Sequence, residues 1–193
     1  THDGLSDDVV YGILEDKHGD LWLSTEKGLS RFSPQTKVFR VYNESDGVPV
    51  QHFHWLSSHK GKDGQMFFGG ENGLLTINPD NIADNPNVPP VVITNFKIFN
   101  ETVPISDDSP LEKSITETTE IELAYRENYL SFEFAALNYI NPEKNRYRFI
   151  LEGLDTDWID AGVARTASYS NLRHGKYIFK VKGSNNDGIW NEE

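Results

Sequence analysis

The chain has 193 residues, a formal net charge of −12 and no cysteine. This length suits one or two domains, and a hydrophobic content of 37% with 12% aromatic residues is enough for a packed core. The missing cysteines exclude disulfides and thiolate metal sites. An acidic chain without a basic stripe argues against nucleic acid and anionic membrane surfaces as partners. No apolar run approaches a membrane span and no signal peptide is visible, so any export signal or membrane attachment is expected outside this sequence.

One stretch of sequence occurs twice, 45 residues apart. Residues 19–34 read GDLWLSTEKGLSRFSP, and residues 64–79 read GQMFFGGENGLLTINP. Two glycines, a glutamate and the closing proline recur at matching positions, which are Gly19, Gly28, Glu26 and Pro34 in the first copy. A repeat of about 40 to 45 residues that consists of short strands and Gly turns predicts β-propeller blades. Because a propeller has about four to eight blades, we expect these two to be the last blades of a longer propeller.

Apolar runs separated by turns predict four strands in the first blade and three in the second. The runs lie at 9–14, 21–23, 29–32 and 37–42, and then at 52–58, 65–70 and 73–77. The continuous run Leu21–Leu23 is typical of a strand that is covered on both faces. Since no fourth run follows residue 77, we expect the outer strand of the last blade to come from a preceding part of a longer protein. Exposed sheet edges recruit other chains, so we also expect either self-association in solution or a larger protein of which this chain is a part.

The segment DNIADNPNVPP at residues 80–90 predicts a domain boundary with a stiff, extended exit. Proline restricts φ, so Pro86, Pro89 and Pro90 should form a spacer that transmits displacement. We therefore predict two domains. The last two blades of a truncated propeller occupy residues 1–87, and a β-sandwich occupies residues 88–193.

The second half of the chain has the period-two alternation of an antiparallel sandwich. Predicted strands lie at 91–99, 120–125, 130–135, 146–151 and 176–182. The spacing from Leu172 to Tyr177 is that of a tyrosine corner, a feature of immunoglobulin-like and fibronectin-like sandwiches. We expect the Tyr177 ring in the core and its hydroxyl on the backbone near Arg173. Because the sequence stops just after Trp190, the last strand of a seven-stranded-type sandwich is expected to be missing.

Residues 3–42 resemble the two-component regulator propeller repeat, and FFGGENGLLTINP at residues 67–79 resembles the closing blade of the same propellers. Residues 88–193 resemble the triple-tyrosine, or Y_Y_Y, domain that follows them. The positions that carry the second resemblance include Tyr147, 151–155, Trp158, Tyr169, Leu172, Gly175, Tyr177 and 185–190. Together the two resemblances cover nearly the whole chain.

The resemblance implies the periplasmic sensor region of a hybrid two-component system of the Bacteroides type. Such a sensor responds to an oligosaccharide released from a polysaccharide and controls transcription. A membrane helix and a histidine kinase, both outside this chain, would anchor it in the inner membrane and transmit the signal. The resemblance also implies a homodimer through the sandwich, a fragment that is not itself an enzyme, and no cofactor.

Three residues that are close together in the sequence form the candidate site for an oligosaccharide ligand. Trp55 is the best candidate for stacking on a sugar ring, with His52 and His54 beside it. His52, His54 and His59 could also be considered as zinc ligands, but ordinary polar side chains on a strand edge are the preferred interpretation, so we expect no metal. Trp22 is expected in the blade core, and Trp158 and Trp190 in the sandwich core or in linker contacts. Tyr147, Tyr169, Tyr177, Gly175 and Trp158 are expected to be structural.

Three further motifs have a functional and a structural interpretation. Asp155, Asp157 and Asp160 could be glycosidase carboxylates, but their loop is expected to be structural. The glycines of residues 69–73 precede a strand instead of a helix, so they predict a hairpin and not a phosphate site. Residues 16–22 are similar to the Asp-box turn of sialidase propellers and are also expected to be structural. The sequence favours a sensor fragment, with a free carbohydrate-binding or adhesion module as the alternative and a propeller hydrolase third.

Overall fold

The computed structural model describes residues 4–49 and 52–192. The chain is all-β, as predicted, and divides into two compact units, of which one ends at Asp84 and the other begins at Asn85. Short 3₁₀ turns occur between strands at Glu44–Asp46, Pro79–Asn81, Ile115–Glu117 and Pro142–Lys144. Over the described ranges, no helix is both long and apolar enough to cross a membrane.

The first sheet has four antiparallel strands in sequential order, as the first repeat predicts. They are β1 (Val10–Glu15), β2 (Leu21–Thr25), β3 (Gly28–Ser33) and β4 (Val38–Tyr42). The β1–β2 turn depends on Asp16, whose carboxylate accepts hydrogen bonds from Trp22 Nε1 at 3.0 Å and from the backbone amides of His18 and Asp20. Gly19 completes this turn at a φ of 84°, which costs glycine little. The segment from Asp16 to Trp22 is therefore structural, as predicted.

The second sheet has three strands, which is the number predicted from the second repeat. They are β5 (Phe53–Lys60), β6 (Met66–Gly70) and β7 (Gly73–Ile77), in the order β5-β6-β7. Gly70 pairs with Gly73, so Glu71 and Asn72 form the turn of a hairpin. The glycine-rich stretch is thus a strand connection, as predicted.

Side chains from both sheets of the first unit form one apolar core. Its buried members are Trp22, Leu29, Val48, Phe53, Met66, Phe68 and Leu75. Trp22 is completely buried and stacks on Tyr42 with 5.4 Å between ring centroids, so it occupies the blade-core position that the sequence predicts. At the end of this unit, the carboxylate of Asp84 accepts hydrogen bonds from Arg31, on β3, and Arg40, on β4. These contacts fix the last residue of the unit to β3 and β4.

The second unit is a sandwich of two antiparallel sheets. Its strands are β8 (Val91–Ile98), β9 (Glu101–Thr102), β10 (Leu130–Ala136), β11 (Tyr147–Glu152), β12 (Ile159–Gly162), β13 (Thr166–Tyr169) and β14 (Ile178–Gly183). One sheet has the order β13-β10-β8-β9 and the other the order β12-β11-β14. The alternation in the sequence thus located β8, β10, β11 and β14, whereas the shorter β9, β12 and β13 were not predicted. Beyond β14, Trp190 forms one antiparallel bridge with Ser184.

Aromatic rings from both sheets fill the sandwich core. Phe132 of β10 stacks on Phe179 of β14 with 4.1 Å between centroids and an interplanar angle of 7°. Phe134 contacts Tyr147 at 5.3 Å, and Phe149 meets Tyr169 edge to face at 6.2 Å. Such aromatic pairs contribute about 0.5–1.5 kcal/mol each beyond the area that they bury. The alternation of apolar residues predicted the inward-facing rings correctly.

The predicted strand at 120–125 is wrong, although its side-chain alternation is real. Ile121 and Leu123 pack against the core, but Tyr125 is 83% exposed and the segment joins neither sheet. The amide of Ala124 donates to Glu127 Oε2 at 2.7 Å, and the amide of Glu127 donates to the carbonyl oxygen of Ala124. These bonds close a local turn. Period-two burial reports which way side chains face and does not require a strand ladder.

Trp158 does not lie in the sandwich core, which was one of the two places predicted for it. The residue precedes β12, is 41% exposed, and has Lys182 Nζ 4.8 Å from the centre of its ring. Trp190 is half-buried, with the Arg148 guanidinium 4.7 Å from its ring centre. Both rings lie beside cations on β11 and β14, where an aromatic face is favourable without full burial.

Candidate ligand site on the first unit

Four side chains that are distant in sequence meet on the first unit. Tyr11 lies on β1, Glu26 in the β2–β3 turn, His52 just before β5 and Trp55 within β5. Antiparallel pairing explains part of this arrangement, because Val10 at the start of β1 lies opposite Thr25 at the end of β2. We name these four residues the Trp55 cluster.

Glu26 is the polar centre of the Trp55 cluster. The hydroxyl of Tyr11 donates to Glu26 Oε2, and His52 Nδ1 lies 3.0 Å from Glu26 Oε1. The Tyr11 ring in turn meets Trp55 edge to face, with 5.0 Å between centroids and an interplanar angle of 86°. The Glu26 carboxylate therefore bonds to both Tyr11 and His52. The Tyr11 ring in turn packs against Trp55.

Trp55 is presented to solvent by an irregularity in β5. The register between β5 and β6 shifts between Phe53 and Ser58, and Leu56 has a φ of 57°. As a result, Trp55 is 66% exposed and Leu56 is 95% exposed. Bulges of this kind redirect side chains in strands, and large apolar side chains are more often buried than exposed. An exposed indole beside hydroxyl, carboxylate and imidazole groups can stack on an apolar ring face and hydrogen-bond to the groups around it.

The charges of the Trp55 cluster are coupled through Glu26. The hydrogen bond from the Tyr11 hydroxyl, and after it that from His52, lowers the pKa of Glu26, whereas the hydrogen bond to Glu26 raises the pKa of Tyr11. Glu26 is thus a carboxylate and Tyr11 a neutral donor at neutral pH. This pair supplies both an acceptor and a donor next to the indole.

The structure brings together two of the three predicted ligand-site residues. Trp55 and His52 belong to the Trp55 cluster, whereas His54 is exposed on β5 and takes no part in the cluster's contacts. His59 packs its ring against Phe67 at 6.5 Å. Among the residues that the structure describes, no three His, Asp or Glu side chains are grouped as a metal site would require.

The predicted structural tyrosines lie in the second unit, and each hydroxyl has a partner. Tyr147 is fully buried and its oxygen accepts a hydrogen bond from the amide of Ala136 at 3.1 Å. Tyr169 donates to Asp155 Oδ2 at 2.9 Å. Tyr177 donates to the carbonyl oxygen of Arg173 at 3.0 Å, which is the predicted tyrosine-corner bond. Its ring is half-buried against the core.

The carboxylates considered for glycosidase chemistry have structural partners. Asp155 Oδ2 also accepts a hydrogen bond from the amide of Leu151 at 2.7 Å. Asp160 accepts from the amide of Gly162 at 2.8 Å and lies 3.5 Å from the guanidinium of Arg148. Gly175 approaches the Tyr177 ring, where an added Cβ would lie 3.7 Å from it, an ordinary contact. These residues shape the loops at the ends of β11, β12 and β14.

Two known families match separate stretches of the chain. The Two component regulator propeller family matches residues 4–27, and the Y_Y_Y domain family matches residues 138–193. The chain thus contains a segment of the Two component regulator propeller family and, after it, a Y_Y_Y domain. This confirms the resemblance inferred from the two repeats and from the tyrosines of the second half.

Two relatives match the propeller segment and the Y_Y_Y domain together. The chain is 36% identical over 193 residues to histidine kinase P4 of Formosa agariphila and spans 14% of that protein. It is 30% identical, with a TM-score of 0.79, to the extracellular domain assigned to a hybrid two component system of B. thetaiotaomicron. That match covers 100% of this chain and 26% of the solved one. The chain thus corresponds to a small part of much longer relatives.

Sequence reasoning missed half of the Trp55 cluster. Tyr11 and Glu26 were assigned to an apolar run and to a repeated turn, because their contacts with residues 52 and 55 depend on the packing of one blade against the next. Glu26 recurs as Glu71 in the second repeat. This recurrence indicated a turn residue, and nothing in it pointed to a contact with His52. The sequence carried no separate signal for Tyr11 or Glu26.

Proposed function

We propose that this chain is part of the extracytoplasmic sensor region of a hybrid two-component histidine kinase. The observation that carries the proposal is the order of a propeller segment and a Y_Y_Y domain along one chain, at 36% identity over its whole length to a histidine kinase. In this proposal the region is periplasmic. A membrane helix and a kinase in other parts of the protein anchor it and receive its signal.

The ligand in this proposal is an oligosaccharide that contacts the Trp55 cluster. Trp55 offers its ring to the apolar face of a sugar, while Glu26 and His52 accept from or donate to its hydroxyls. Support comes from the 66% exposure of Trp55 and from the fixed polar groups around it. The signal then passes to the kinase through the Y_Y_Y domain, and two copies associate through this domain.

The test is the affinity of the complete extracytoplasmic region for a panel of neutral and anionic oligosaccharides, measured by titration calorimetry. Trp55→Ala should weaken binding at least tenfold, which corresponds to about 1.4 kcal/mol. Trp158→Ala is the matched control, because it removes a second exposed indole from the other unit, and it should leave the affinity within about threefold. Unchanged affinity in Trp55→Ala would reject the ligand site and leave the sensor assignment standing.

The alternative is a free carbohydrate-binding or adhesion module. Both proposals place a sugar at the Trp55 cluster, so binding does not distinguish them. The coding sequence downstream of residue 193 does, because only a sensor requires a membrane helix followed by a kinase. A gene that ends in a secretion or attachment signal would favour the adhesion module.

A further inference from the structure

Six asparagines form a connected hydrogen-bond network in the second unit. They come from the segment before β8, from the β10–β11 connection and from the segment after β14, and we name them the asparagine cluster: Asn85, Asn87, Asn138, Asn145, Asn185 and Asn186. Buried amides are costly unless every donor and acceptor is used. Four of the six side chains, those of Asn85, Asn138, Asn145 and Asn185, are buried, so the hydrogen bonds of the network must offset the cost of burying these amides.

Asn85 connects the segment before β8 to the rest of the asparagine cluster. Its Nδ2 donates to Asn138 Oδ1 at 3.1 Å and to Asn186 Oδ1 at 3.0 Å. Its Oδ1 accepts from the backbone amide and the side-chain amide of Asn87, and its own backbone amide donates to Asp187 Oδ2 at 2.6 Å. The buried side chain thus uses both donors and both acceptor positions within this unit.

Asn185 connects the segment after β14 to the segment before β8. Its Nδ2 donates to the carbonyl oxygens of Asn85 and Asn87, both at 2.8 Å. Its Oδ1 accepts from the amides of Asp187 and Ile189 at 2.9 and 3.0 Å. One buried amide therefore shapes the loop after β14 and at the same time holds the segment before β8. Asn191 adds a further bond, from Nδ2 to the carbonyl oxygen of Pro89 at 3.3 Å.

These contacts change the interpretation of the proline-rich segment. The sequence indicated a stiff spacer at residues 86–90, but Asn85, Asn87, Pro89 and Pro90 all hydrogen-bond to the sandwich. The residue before them, Asp84, is bound to Arg31 and Arg40 in the first unit. The prolines therefore follow the point at which the chain is fixed to the second unit.

We propose that the asparagine cluster couples the segment before β8, residues 85–90, to the segment after β14, residues 184–191, so that the two segments move together. Displacement of Asn85 then reaches Ile189 and Asn191 directly through side-chain amides, without rearrangement of the aromatic core. The coupling is a property of the second unit alone. Its use in signalling rests on the proposed function.

The test is amide hydrogen exchange in this chain, measured by NMR. Asn85→Ala should speed the exchange of the Ile189 and Asn191 amides at least tenfold, while Phe132 and Ala167, paired between β10 and β13, change less than twofold. Asn95→Ala is the matched control, because Asn95 also bonds through its side chain, to Thr102 and Glu133, but lies outside the cluster. It should leave Ile189 and Asn191 unchanged.

Coupling must be reciprocal, so Asn185→Asp should speed exchange of the Asn87 amide at least tenfold, since a carboxylate would face the carbonyl oxygens of Asn85 and Asn87. Where either variant fails to fold, Asn186→Ala is used instead. Asn186→Ala removes one acceptor of Asn85 and leaves Asn185 intact. The amides of the same two segments should then exchange at least threefold faster than in the wild type. Exchange of Ile189 and Asn191 within twofold of the wild type in Asn85→Ala, or in Asn186→Ala, would overturn the proposal.

Discussion

The bond from Tyr169 to Asp155 is a sensitive test of how the second unit is stabilised. Asp155 Oδ2 accepts from the Tyr169 hydroxyl at 2.9 Å and from the Leu151 amide at 2.7 Å, so one oxygen fixes β13 and the end of β11. A hydrogen bond to a charged group contributes about 1.5–3 kcal/mol. Tyr169→Phe removes one such bond and leaves the Leu151 amide with its acceptor. We expect the free energy of unfolding to fall by about 1.5 kcal/mol. This is the lower end of the range, because Asp155 is half-buried.

Asp155→Ala should cost more, about 2–4 kcal/mol, because it leaves both the buried tyrosine hydroxyl and the Leu151 amide without their acceptor. For a domain of this size, each kcal/mol lowers the melting temperature by about 4–8 °C. Tyr169→Phe should therefore melt about 6–12 °C below the wild type at pH 7, and Asp155→Ala lower still. Thermal unfolding followed by near-ultraviolet circular dichroism measures both.

Tyr139→Phe is the control, because the Tyr139 ring is exposed and its variant should melt with the wild type. The double variant Tyr169→Phe with Asp155→Ala should be less destabilised than the sum of the singles, since both remove the same bond. The reasoning fails if Tyr169→Phe melts within about 2 °C of the wild type, or if Asp155→Ala is no worse than Tyr169→Phe. A glycosidase role for Asp155 would instead require loss of activity at unchanged stability.

Three further predictions follow from the same contacts. Tyr177→Phe should lower stability by only about 0.5 kcal/mol by urea titration, because its bond to Arg173 is exposed; a loss above about 2 kcal/mol would contradict this. Burial and then Asp155 raise the pKa of Tyr169, so above about pH 10 the unfolded chain releases a proton that the folded unit keeps, and stability falls by about 1.4 kcal/mol per pH unit. Because pH 10 is itself the pKa of the unfolded tyrosine, the stability difference between the wild type and Tyr169→Phe should shrink by about 1 kcal/mol between pH 10 and 11 in urea titrations, and a constant difference would contradict the assignment. Replacing Pro86, Pro89 and Pro90 by Gly or Ser in the full-length protein should leave sugar affinity within about threefold, or 0.65 kcal/mol. Induction of a reporter gene should also persist, because Asn85 fixes the chain to the second unit before these prolines; lost induction would instead support a mechanism that depends on the stiffness of the prolines.

The parts of the fold that depend on local sequence were predictable. The β1–β2 turn is determined by Asp16, Gly19 and Trp22, which lie within seven residues of each other and need no distant partner. The tyrosine corner is equally local, since Tyr177 reaches a carbonyl four residues away. Repeat spacing then extended the prediction from one blade to the next.

The parts that depend on packing between distant segments were not predictable. Asn85 was taken as a linker residue because Asn and Pro are common in loops, yet its partners Asn138 and Asn186 lie 53 and 101 residues further along the chain. Glu26 and His52 are 26 residues apart and meet only when β1 packs beside β5. The 120–125 segment shows the opposite error, because its alternation is local whereas strand pairing requires a neighbour.

The four tryptophans lie in three kinds of surroundings, so their intrinsic fluorescence can distinguish one part of the protein from another. Trp22 is fully buried with its indole nitrogen on Asp16, and Trp158 and Trp190 each lie against a cation. Trp55 is the most water-exposed of them at the proposed ligand site. Its fluorescence should therefore lie to the red of that from Trp22, and a sugar covering it should shift emission to the blue. A Trp158→Phe, Trp190→Phe background would make ligand occupancy measurable without any added dye.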